Sequence, residues 1–154
     1  MDKRWTQYLY EFHVTRDYYR CHDFLEEWWF DLGNPQDHLL MAFIQLAVAQ
    51  YHWRADNLKG AQILYEKSLR IFKMNFEKIE AYGMDADRLM KQMEEAQAFV
   101  ELKEKFHEYN LPILSESLIA ELTQLANQSK LKLYALSDMS NPKLVHHHKY
   151  KDHD

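Results

Sequence analysis

Apolar residues recur along this chain at intervals of three and four, the spacing of one face of an α-helix. The first run, residues 5–12, is short and aromatic and predicts a helix. Thr15 or Asp17 is placed to cap a second helix that reaches about residue 31. Gly33-Asn34-Pro35 closes that helix, because glycine past the last turn followed by proline stops helical hydrogen bonding. A third helix is predicted over about 35–55. Its middle, from Leu39 to Ala49, is apolar on nearly every side, the pattern of a central buried helix. Asp56 or Asn57 begins a fourth, with Leu58, Ala61, Leu64, Tyr65, Leu69, Phe72 and Phe76 in register. A fifth runs from Asp85 to about Tyr109, ended by Asn110 and Pro112. Ser115 or Ser117 caps a sixth, with Leu118, Ile119, Leu122 and Leu125 on one face. Beyond Asp138 the pattern fades.

These runs predict an all-α fold, an antiparallel helical bundle of five or six helices. The N-terminal half is loosely tetratricopeptide-like, but no 34-residue period follows. Composition sharpens this. A chain of 154 residues suits one domain, and only three glycines and three prolines argue against a sandwich or barrel. The expected organisation is a single domain over 1–138 and a polar, His-rich, flexible tail over 139–154.

Charge narrows the partners. A net charge of −5 disfavours a surface built to grip nucleic acid. The longest apolar stretch, 39–51, is too short to span a membrane, which needs about 20 residues. A single cysteine, Cys21, forbids an intrachain disulfide, and no secretory signal opens the chain, so the cytoplasm is the expected location. Aromatic residues make up 14%, more than a small bundle readily buries. An aromatic surface for homodimerisation is therefore expected.

The candidate chemistry lies on the second and third helices. His22 and Glu26 are four apart and share a helix face, with Asp23 beside them, Arg16 upstream and Trp29 one turn on. His38, Gln45 and His52 are spaced seven apart and predict one face of the third helix. Gln45 is conspicuous among apolar neighbours, because a buried amide without a partner costs about 1–3 kcal/mol. If the two helices form a hairpin, His22, Glu26 and His52 meet as a divalent-metal set for zinc, iron or manganese, supported by Gln45, Trp29, Arg16 and Asp23. Such a metal generates hydroxide near neutral pH and suits hydrolysis of a small substrate, whose identity the residues do not name. The same residues also suit a non-catalytic scaffold, as a structural polar network. Cys21 beside His22 reads as a buried, inert thiol, because adjacent helical positions point about 100° apart. Glu104 and His107 match one Glu-x-x-His unit on a charged helix, without the second that a di-iron bundle needs. His146, His147, His148 and His153 read as a non-catalytic tail.

Several motifs in order resemble a known family, the bacterial and archaeal proteins called domain of unknown function 309. Its hallmark is His, three residues, Glu, two residues, then Trp or Tyr, present as His22, Glu26 and Trp29. Ile44-Gln45-Leu46-Ala47, then His52, Asp56-Asn57 and Gly60-Ala61 continue the likeness over about residues 8–72. Two positions depart from the family pattern: Asp23 stands where Glu is usual, and Asp56 where Gly is usual. The resemblance implies a helical fold and a metal or ligand site, and the family carries the label of predicted metal-dependent hydrolase.

Overall fold

The computed structural model describes residues 1–146. Helix α1 spans Lys3–Tyr10, α2 Tyr18–Asp31, α3 Leu39–Arg54, α4 Leu58–Met74, α5 Ala86–Glu101, α6 Glu116–Gln128 and α7 Pro142–Val145. The starts obey local capping rules. Asp17, Asn57, Asp85 and Ser115 each accept a hydrogen bond from the backbone N–H three residues on. The sequence singles out Asp85 and offers Asp17, Asn57 and Ser115 each as one of two candidates. No strand forms among the described residues, only an isolated bridge between Met84 and Ile113.

The helices pack side by side around α3. It lies between α2 and α4; α1 packs on α2, α5 on α4, and α6 on α1. This explains why α3 is apolar on all sides: Leu39, Leu40, Phe43, Leu46, Ala47 and Trp53 are all buried. Aromatic rings fill the centre. Phe43 meets Trp5 at 4.8 Å and Phe72 at 4.9 Å between ring centres, both edge to face. That arrangement suits the ring quadrupoles. The polar tips are satisfied: the Trp5 indole N–H donates to Tyr82 O at 3.1 Å and the Tyr8 hydroxyl to Phe43 O at 2.8 Å.

Four sequence expectations change. Helix α1 does not run to residue 12 as plain α-helix but continues as a π-helical turn over Glu11–Thr15, closed by Arg16 in the left-handed region. Helix α3 begins at Leu39, not 35, because His38 caps it, its Nδ1 accepting from Leu40 N at 3.0 Å. His38 therefore sits ahead of the helix and does not extend the face of Gln45 and His52. Helix α5 stops at Glu101, not 109, and the chain from 104 to 111 runs without regular structure, so Glu104 and His107 share no helix face. Finally, the chain after Asp138 is not wholly a polar tail: α7 forms and Val145 is buried. His147, His148 and His153 lie outside the described residues.

Candidate functional site

Helices α2 and α3 pack against each other, and a line of rings joins His22 to His52. His22 meets Tyr19 at 4.8 Å, Tyr19 meets Tyr51 at 5.2 Å, and Tyr51 meets His52 at 5.4 Å, each edge to face. Two tyrosine rings thus stand in line between the two histidines.

Their partners differ in kind. His22 Nδ1 lies in hydrogen-bond contact with Tyr19 O. A carbonyl only accepts, so Nδ1 carries a proton and the neutral ring keeps its lone pair on Nε2. That Nε2 sits 3.3 Å from Asp23 and 3.9 Å from Glu26. The side chain of His22 is 18% exposed, and those of the carboxylates are 56% and 62% exposed. At His52 the roles reverse. Asn57 Oδ1 accepts from Gly60 N, which turns Asn57 Nδ2 toward His52 Nδ1 at 3.3 Å. His52 Nδ1 is therefore an acceptor, and the neutral ring holds its proton on Nε2.

The other expected site residues scatter. The Trp29 indole N–H donates to Pro35 O at 2.8 Å and ties down the turn after α2. Gln45 keeps its Oε1 buried with no partner among the described residues. Arg16 is not at the surface: it is 1% exposed and donates to Ala135 O, Phe12 O, Tyr109 O and Asn110 Oδ1. Among the described residues no group of three or more His, Cys, Asp or Glu is arranged to hold a metal ion. Cys21 is buried, its Sγ 3.5 Å from Tyr8 O, and burial pushes its thiol well above the ordinary range.

Residues 5–64 match Domain of unknown function (DUF309). Over 151 residues, 97% of this chain and 87% of the relative, the sequence is 35% identical to "Uncharacterized protein YpuF" of Bacillus subtilis (strain 168). The chain belongs to the DUF309 family. No solved structure matches it. The DUF309 match covers α1 to the middle of α4, and so includes His22, Glu26, Trp29, Gln45 and His52.

A second polar cluster escaped the sequence reading. Arg54, 4% exposed, donates to Arg16 O at 2.6 Å, Ser137 Oγ at 3.0 Å and Leu144 O at 2.8 Å, and stacks 4.6 Å over the Tyr18 ring. The Tyr18 hydroxyl donates to Glu108, whose other oxygen accepts from Ser137 N at 2.6 Å. Nearby, buried His13 donates from Nδ1 to Leu9 O and accepts from Leu111 N at Nε2. Burial, reinforced by Arg16, pushes its pKa down to about 3. The only local signal was an arginine ending an apolar helix. Its partners lie 38 to 90 residues away in sequence.

Proposed function

We propose that this DUF309 protein is a non-catalytic helical scaffold of the cytoplasm, in which the motif residues fasten α2 to α3. The observation that carries this reading is the ring line His22–Tyr19–Tyr51–His52. The opposite tautomers support it, since His52 commits the Nδ1 lone pair to Asn57. The test compares His22→Ala with its parent, both carrying His146, His147, His148 and His153 changed to Ser, which removes the tail histidines as adventitious ligands. A lower melting temperature with the same metal content in both proteins supports the scaffold.

One observation favours a second reading, a divalent metal and hydrolysis of a small substrate. The Tyr19 carbonyl fixes the His22 tautomer and leaves the Nε2 lone pair beside Asp23 and Glu26. An imidazole that ligates a metal commonly donates its other ring N–H to a backbone carbonyl in this way. A bound zinc, iron or manganese ion supplies an activated water. One metal per chain, lost in His22→Ala, supports that reading and ends the first.

The scaffold reading includes self-association. Phe30 is 68% exposed and Leu32 50%, at the end of α2 where Trp28 and Trp29 are half-buried. Such an apolar patch suits a second copy of the chain. Sedimentation of Phe30→Asp against wild type tests it: a wild-type dimer that becomes monomeric supports the patch, and a wild-type monomer removes it.

A further inference from the structure

The end of α3, one face of α5 and the irregular chain after α5 enclose a cleft of about 240 Å3. Trp53, Phe99, His107 and Tyr109 bring rings to its walls, and Gln92 and Glu95 bring acceptors. Among the described residues neither lysine nor arginine lines it.

Three features fix its chemistry. The His107 ring stands between Trp53 and Phe99, 4.9 Å from each between ring centres and edge to face with both. The Trp53 indole N–H is spent on Glu104 O at 2.9 Å and the Tyr109 hydroxyl pairs with Tyr65 at 2.9 Å, so both rings are anchored by their polar tips. Gln92 Nε2 donates to Asn110 O at 2.8 Å, which orients the amide and leaves Oε1 buried with no partner among the described residues.

We propose that this cleft binds an organic ammonium ion, a protonated alkylamine with an N–H. Ring walls attract a weakly hydrated cation through their quadrupoles. Glu95 supplies the countercharge. The unspent Gln92 oxygen accepts the N–H. Small hard cations are poorly served, because magnesium and calcium demand a shell of six or more oxygens. The volume lies below the 300–1,000 Å3 typical of drug-sized ligands and fits an amine head group. None of the lining residues belongs to the His22–His52 face, so this site stands or falls apart from the scaffold reading.

The experiment is a titration of the full chain with N,N-dimethylethanolammonium, followed through the Trp53 indole N–H signal by NMR. The control is 3-methylbutan-1-ol, the same shape with carbon in place of charged nitrogen. A saturable shift with the ammonium and none with the alcohol is expected. Glu95→Gln and Phe99→Leu should each weaken binding at least about threefold. Both positions lie outside the buried core, so folding survives and a far-ultraviolet spectrum verifies it. No saturable shift, equal binding of the alcohol, or variants that bind as well as wild type would each overturn the assignment. Weaker binding of choline, which lacks the N–H, supports the role given to Gln92; equal binding overturns that role.

Discussion

Arg54 Nη1 donates to the main-chain oxygen of Arg16 at 2.6 Å, so one buried guanidinium holds the backbone that aims another. Arg16 sits at φ 60° where the π turn ends, and its own side chain bonds the 109–110 and 135 backbone regions. The pair therefore joins the N-terminal helices to the chain after α5 and after α6. Arg54→Ala strands several buried acceptors and should cost about 3–5 kcal/mol, read by urea unfolding. Arg54→Lys should recover less than half of that, because a single ammonium cannot reach Ser137 and Leu144 O with the geometry of the planar fork.

His13 sets an acid limit on stability. In the folded protein its pKa is held at about 3, whereas the unfolded chain binds a proton near 6.5. Below pH 6.5 the unfolded state therefore takes up a proton that the folded state refuses. Stability is complete above that pH and falls as pH drops toward 3. The slope approaches about 1.4 kcal/mol per unit, so about 2 kcal/mol is gone by pH 5. Urea midpoints at pH 8 and pH 5 should show this loss. His13→Gln, less stable at pH 8, should show a smaller loss between the two.

Gly60 guards the link between Asn57 and His52. A Cβ there would stand 2.6 Å from Asn57 Nδ2, so Gly60→Ala must push that side chain aside. Alanine gains about 1 kcal/mol of helix propensity and loss of the Asn57 cap costs about as much, so the melting temperature should barely move. The nitrogen-15 shifts of His52 should move, because Nδ1 loses its donor. Unchanged shifts would mean that Asn57 does not hold the tautomer.

Gly83 and Gly33 separate backbone strain from crowding. Both have positive φ, +79° and +89°. At Gly33 a Cβ meets nothing within 4 Å, so Gly33→Ala should cost only about 1 kcal/mol of left-handed strain. At Gly83 it meets Leu118 Cδ1 at 3.0 Å and Ser115 Cβ at 3.2 Å, where α6 docks. Gly83→Ala should cost at least about 2 kcal/mol, measured in parallel by thermal unfolding.

Local physics made much of this protein readable in advance. Caps at Asp17, Asn57, Asp85 and Ser115, the glycine-proline stop after α2, and the all-round apolarity of α3 are signals carried within a turn or two of chain. The burial of Cys21 and the adjacency of His22 and Glu26 follow from helical spacing alone. Tertiary structure decided the rest. Helical periodicity persists past Glu101, yet α5 ends there, with Phe106 and His107 packed against Trp53. Arg16 and Arg54 are buried because carbonyls from distant segments close around them. Which nitrogen of His22 or His52 holds the proton depends on a carbonyl three residues back and an amide five residues on. Periodicity reports which face of a helix turns inward; only packing determines which donor and acceptor meet there, because that pairing is a property of three-dimensional proximity and not of spacing along the chain.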